Sequence, residues 1–165
     1  MTLQKIVSGG QTGVDRGALD AALECGFPCG GWCPPGRRAE DGPIPPTYPV
    51  VELGHGGYAE RTVQNVVDSD GTLVIYFGEL EGGTAETVRH CIDRGKPCKL
   101  VDAQEITADR AAQLVAAFVA THRIACLNVA GPRRSKTPEA EAYARAVIRT
   151  LLTQESRGTT RAGTT

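Results

Sequence analysis

Residues 71–88 read GTLVIYFGELEGGTAETV. The first part, Gly71–Phe77, is a continuous apolar run rich in β-branched and aromatic residues, which predicts a buried strand. Gly78 ends the run, and Gly82-Gly83 leads into a helix predicted over Thr84–Arg94. Strand, glycine turn and helix therefore follow one another within about two dozen residues, the pattern of one half of a βαβ crossover.

The pattern repeats outward in both directions. Upstream, Gln4–Ser8 is a short apolar strand, Gly9-Gly10 follows it, and Thr12–Glu24 has helical spacing with a stop at Gly26. Thr12 is placed to cap that helix, with Asp15 as its capping-box partner. A short strand is expected over Cys29–Cys33 and a brief one near Val50–Leu53. The Pro-rich segment between them, Pro34–Pro49, must be loop. Tyr58–Asp68 reads as a helix. Downstream, Lys96–Asp102 is a strand, Thr107–His122 an amphipathic helix, and Ile124–Val129 a further strand. Thr137-Pro138 then opens a last helix, running to about Gln154. Ser156–Thr165 has no apolar anchor and is expected to be a disordered tail. The expected architecture is one α/β domain over residues 1–155, a Rossmann-like doubly wound, mostly parallel sheet of about six strands with helices on both faces. In a Rossmann-like order the first strand and the Gly71–Phe77 strand are neighbours, and the last strand lies further out.

Composition narrows the function. The 165 residues carry 18 Lys+Arg and 19 Asp+Glu, a net charge of −1, without the basic excess of a general nucleic-acid binder. No stretch has the ~18 apolar residues of a spanning helix, and residues 1–7 lack the apolar core of a secretory signal. The expectation is a cytoplasmic protein with reduced thiols at Cys25, Cys29, Cys33, Cys91, Cys98 and Cys126. Gly26, Pro28, Gly30 and Gly31 break the CxxxCxxxC run, so its thiols cannot line one helix face. No His pair at zinc spacing accompanies it, and Cys25, Cys29 and Cys33 are expected to be small buried thiols.

Ligands of doubly wound sheets bind beyond the carboxyl ends of the strands. Three such loops stand out: Ser8-Gly9-Gly10-Gln11-Thr12-Gly13, Gly78–Thr84 ending in Gly82-Gly83-Thr84, and Asn128–Lys136 with Gly131, Arg133, Arg134 and Ser135. Glycine lets a backbone approach a ligand closely, and a helix start offers unpaired N–H groups to an anion. Each glycine pair also reads simply as the turn that a βα connection needs. Neither of the first two loops matches GxxxxGK[ST] or a full GxGxxG. Taken together, the loops suit an elongated anionic ligand of nucleotide size.

Other residues admit two readings. Asp15 is a ligand contact or only a helix-cap acid. Glu86 is a catalytic acid or a favourable charge at a helix start. Arg61 is a ligand contact or solvated surface, and Trp32 a stacking platform or half-buried packing. Arg37 and Arg38, with Glu40 and Asp41, form a lid over the crevice or merely belong to the Pro-rich loop.

The strings VSGGQTGVDRGALDAAL, GWCPPGRRAEDGPIP, TVQNVVDSDGTLVIYFGELEGGTAETV and LNVAGPRRSK, in that order, resemble the putative molybdenum carrier family, proteins similar to the molybdenum cofactor carrier protein. The resemblance covers about Lys5–Leu152. It implies a homo-oligomer (dimer or tetramer) that binds the molybdenum cofactor (molybdopterin) or molybdate. By motif match it places ligand binding at Gly9, Gly10, Gln11, Thr12, Gly13, Gly82, Gly83, Thr84, Asn128, Gly131, Arg133 and Ser135; Ser8 of the first loop, Arg37 of the lid reading and Arg61 as a phosphate contact complete the candidate set. A more distant resemblance is to the lysine-decarboxylase-like nucleoside monophosphate phosphoribohydrolases, with a PGGxGTxxE signature and a catalytic Arg–Glu pair. Here that pair would be Arg61 and Glu86. However, no Pro precedes the glycines, and Glu86 comes one residue early, with Thr87 at the signature position. One residue is ~100° of rotation on a helix.

Overall fold

The computed structural model describes residues 2–161, with side chains through residue 154. Five parallel strands form the main sheet: β1 (Lys5–Val7), β2 (Cys29–Gly30), β7 (Gly71–Tyr76), β8 (Cys98–Asp102) and β9 (Cys126–Ala130). Between β2 and β7 lie four short strands outside it. Two of these, β3 (Trp32–Cys33) and β6 (Val51–Glu52), pair parallel. The other two, β4 (Arg38–Ala39) and β5 (Gly42–Pro43), pair antiparallel. The helices are α1 (Val14–Glu24), α2 (Tyr58–Val67), α3 (Gly82–Asp93), α4 (Ala108–His122) and α5 (Ala140–Arg161). Helix α5 packs against both α1 and α4, while α2 packs against α3. This is a doubly wound α/β fold of Rossmann-like type.

The main sheet has five strands instead of the expected six, and the reason is local. Gly31 takes φ +127°, and a Cβ there would stand 2.1 Å from the Ser8 carbonyl oxygen. The chain therefore brushes the end of β1 and turns out of the sheet. The expected Cys29–Cys33 strand is split, and Val51–Glu52 follows Trp32–Cys33 into the small ladder.

Strand order also differs from expectation. It runs β2-β1-β9-β7-β8, so the last strand lies in the middle, between β1 and β7. Counting β9 as the first strand converts this to 3-2-1-4-5, the Rossmann order. Leu127 and Val129 of β9 are buried, as are Ile6, Leu73 and Ile75 on its flanks. Asn128 sits in register with Val7 on one side and Thr72 on the other, and its Nδ2 donates to Thr72 Oγ1 at 3.3 Å.

Helix boundaries shift by a turn or less in most cases. Thr12 does not cap α1: Gly13 does, at φ +84°, and the helix begins at Val14. Thr107 caps α4 as its position suggests, accepting from the Arg110 N–H. The last helix continues past Gln154 to Arg161. Residues 162–165 of the expected tail lie outside the described residues.

Candidate functional site

A cleft of about 380 Å³ opens beyond the carboxyl ends of β9 and β7, where the winding of the sheet reverses. That volume falls within the range of small-molecule sites. Among the residues expected at the site, Gly9, Gln11, Arg61, Gly83, Thr84, Asn128, Gly131 and Arg133 line it, and so does Glu86. The remainder, Ser8, Gly10, Thr12, Gly13, Gly82, Ser135 and Arg37, do not.

Arg61 and Asp15 meet in the lining of the cleft. Asp15, in the first turn of α1, is buried, and its Oδ2 accepts from the Gln11 N–H at 3.2 Å and from Arg61 Nη1 at 2.9 Å. Burial pushes the Asp15 carboxyl above the usual carboxylate range, against the opposing pull of Arg61 and the Gln11 N–H. The Arg61 side chain is 12% exposed and crosses the turn at Gly9. A Cβ on Gly9 would stand 1.6 Å from Arg61 Nη1 and 2.6 Å from its Cζ. The Tyr58 ring flanks the guanidinium at 5.7 Å. Arg61 Nε is buried with no hydrogen-bond partner. Arg61 is thus neither solvated surface nor fully satisfied.

A second group of expected residues braces loops together. The Glu40 carboxylate accepts from the hydroxyls of Thr12 and Ser135 and from the Ser135 N–H at 3.1 Å, with Arg133 Nε 3.8 Å away. Burial acts to raise the Glu40 carboxyl, but the hydrogen bonds from Ser135 and Thr12 prevail and hold it below its ordinary value. Asp41 accepts two bonds from Arg16, one of them at 2.8 Å, and Arg16 Nε also donates to the Gly10 carbonyl. Ser8 Oγ donates to the Val129 carbonyl. Arg37 donates to the carbonyls of Ile44, Pro45, Tyr48 and Val50, all at 2.9–3.0 Å. No residue of the Pro-rich segment lines the cleft, and through Glu40 this segment straps the first loop to the third.

The opposite wall is α3. Its N-cap, Glu81, makes no side-chain capping bond, and the first-turn N–H groups of a helix have no intrahelical partner. Gly83, in that turn, has nothing within 4 Å of where a Cβ would stand. Glu86 pairs with Arg89 at 2.6 Å, and Thr87 donates back to the Gly83 carbonyl. Lys136 stands over this turn, its Nζ 2.9 Å from a Cβ built on Gly82.

Residues missed in the sequence include Tyr58, Thr62 and Asn65 of α2 and Thr87 and His90 of α3. A signal for them exists. Positions 58, 61, 62 and 65, and positions 83, 86, 87 and 90, each repeat i, i+3, i+4, i+7, so each set lies on one helix face. Trp32 is held elsewhere: its backbone exchanges two hydrogen bonds with Asn65, and its indole N–H donates to Asp68. Of the cysteines, Cys33 and Cys91 are buried, whereas Cys25 is exposed, contrary to the expectation of buried thiols. Among the described residues, no group of three or more His, Cys, Asp or Glu is arranged to hold a metal ion. No helix among them is long and apolar enough to cross a membrane.

Comparison with known proteins agrees with this arrangement. Residues 6–152 match the model of a family described as the circularly permutated YpsA SLOG family, a description that fits a Rossmann order with its first strand moved to the end of the chain. No curated protein matches. A crystal structure of a putative molybdenum carrier protein from Syntrophus aciditrophicus superposes with a TM-score of 0.89 at 44% sequence identity, covering 92% of this chain and 96% of that one. On the family match and this likeness together, the chain belongs to the circularly permutated YpsA SLOG family and stands with the putative molybdenum carrier proteins.

Proposed function

We propose that the cleft binds and carries an anionic, molybdenum-related ligand, either molybdate or the molybdenum cofactor. The observation that carries this reading is Arg61: a largely buried cation in the lining of a cleft, with an Nε lacking an acceptor. Leaving a charged donor unpaired costs more than a neutral one, and an oxyanion or phosphate oxygen would supply the missing acceptor. Arg133 and Lys136 line the same cleft, as does the uncapped start of α3. These groups suit oxo and phosphate oxygens held by hydrogen bonds, with the metal kept by its own ligands. Tyr58, Tyr76 and Phe77 add an aromatic wall suited to a planar ring. The carrier name of the Syntrophus aciditrophicus protein supports the choice of cargo.

Isothermal titration with sodium molybdate, together with an assay of whether the protein protects isolated cofactor from air oxidation, tests the proposal. Saturable binding or protection is expected, and absence of both sinks it. Arg61 and Glu86 line one cleft, which keeps a second reading, nucleoside monophosphate phosphoribohydrolase, open to test. The engagement of Glu86 with Arg89 weighs against it. Release of adenine from AMP, abolished by Glu86→Gln, would favour that reading. We further propose a cytoplasmic homo-oligomer, dimer or tetramer, to be checked by light scattering on the purified protein.

A further inference from the structure

We infer that Asp15 is a positioning residue for the anion site: it holds the Arg61 guanidinium across the Gly9 turn, in the lining of the cleft, so that the donors Asp15 does not take are left for the ligand. The inference rests on the reading that this cleft binds an anion, and adds to it which residue sets the geometry of the cation.

Arg61 reaches the cleft from α2, an element that contributes no strand to the sheet. An arginine side chain on its own has many rotamers, and fixing it in one costs side-chain entropy. Three contacts fix it here. Gly9 leaves the volume that Nη1, Cδ and Cζ occupy. The Tyr58 ring, three residues back on α2, covers one side. Asp15 takes Nη1 at 2.9 Å.

Of these, only Asp15 makes a directional, charged contact, and its own orientation is set by the Gln11 N–H on the same oxygen. A carboxylate anchored by the first loop thus determines where a guanidinium from α2 comes to rest. With Nη1 committed to Asp15, Nε is a buried donor without an acceptor. Asp15 also has an evident local role at the start of α1, so the test must separate holding Arg61 from supporting the helix.

Sodium molybdate is titrated into wild type, Arg61→Ala, Asp15→Asn and the double variant. Arg61→Ala should lower affinity about ten- to a hundredfold, the worth of a charge-assisted hydrogen bond. Asp15→Asn should lower it about tenfold, and the double variant should bind no more weakly than Arg61→Ala, because Asp15 acts only through Arg61. Removing a negative charge near the site would by itself favour an anion. Binding by Asp15→Asn as tight as or tighter than wild type, or losses that multiply in the double variant, therefore overturns the inference.

A ligand-free readout keeps this result apart from the question of cargo. The Arg61 Nε–H resonance, assigned by its loss in Arg61→Lys, should be a resolved, slowly exchanging peak in wild type. In Asp15→Asn it should collapse into the envelope of mobile arginines. If wild type binds no molybdate yet the peak behaves this way, the molybdate reading fails and the positioning role stands. A peak unchanged in Asp15→Asn overturns the positioning role whatever binds. Should Asp15→Asn not fold, Asp15→Glu retains the charge while moving the oxygens by one methylene, and the same peak and titration decide with the same expected losses.

Discussion

The turn after β1 and the start of α3 after β7 carry the same glycine pair and read alike in sequence, yet their space is used in opposite ways. At Gly9 the volume of a side chain is already filled by the Arg61 guanidinium. Around it Asp15, Glu40, Arg16 and Asp41 tie the first loop to α2, to the Pro-rich segment and to the loop after β9. At Gly83 nothing stands within 4 Å of a Cβ, and Glu81 leaves the helix start without a side-chain cap. A glycine pair before a helix can therefore mean room for the protein's own cation or room for a guest. What separates the two is whether a long side chain from another element arrives there.

The contrast can be broken most forcefully at Gly9. Gly9→Ala must displace the Arg61 side chain from its contact with Asp15, so unfolding free energy should fall by about 1–3 kcal/mol in a urea titration. A change below about 1 kcal/mol would mean that Arg61 is not seated as described. Arg133→Ala tests the cleft without the brace. Binding of molybdate should weaken by about 1.5–3 kcal/mol if Arg133 makes a charge-assisted bond to the ligand. Fold stability should move by no more than about 1 kcal/mol, since its contact with Glu40 is a half-exposed pair at 3.8 Å.

Gly83→Ala sharpens the comparison. Stability should hold or rise by up to about 1 kcal/mol, because alanine suits a helix better than glycine, while molybdate affinity falls as the new methyl intrudes on the cleft. Equal effects at positions 9 and 83 on both stability and affinity would erase the distinction.

The smallest expected effect is on pH dependence. Glu40 and Asp41 have carboxyl pKa values held below the ordinary 4.5 and 3.8 by their hydrogen bonds. The unfolded chain then takes up these protons before the native one does, so their stabilisation is present above those ordinary values and is lost as pH falls through the depressed native ones. Asp15, shifted upward, works in the opposite sense: its contribution declines as pH rises from 3.8 through its raised native value. Glu40→Gln should flatten part of the acid limb of a stability–pH profile. An unaltered limb would show that the strap does not hold the first loop.

Strand and helix identities were legible because they depend on local pattern. GTLVIYF is a strand by composition alone, and Thr107 caps α4 through its own hydroxyl. Strand order was not legible, because it is decided by which edges meet. The central place of β9 depends on contacts with Val7 and Thr72, far away in sequence.

The site divides in the same way. That loops after β1, β7 and β9 converge follows from the fold class, whereas the task of each polar group depends on what comes within reach. Arg37 is an instructive case. Prolines at 43, 45, 46 and 49 remove N–H donors from the segment, and the Arg37 guanidinium supplies hydrogen bonds to three of the segment's carbonyls and to that of Val50. Thr12 and Ser135, which read as donors for an anion, do serve one, but it is the carboxylate of Glu40.

Placing the final strand at the heart of the sheet has a consequence for how the chain is made. Ser8 and Val129, bonded across β1 and β9, are 121 residues apart. During synthesis the ribosome releases both flanks of the sheet, β2-β1 and β7-β8, before the strand that joins them exists. Until then the apolar rows at Ile6 and Leu73 have no β9 to lie against. Such a long closure slows folding. Between the emergence of β8 and that of β9 the nascent protein holds two unjoined half-sheets, and it is in this interval that it most needs shielding from other chains.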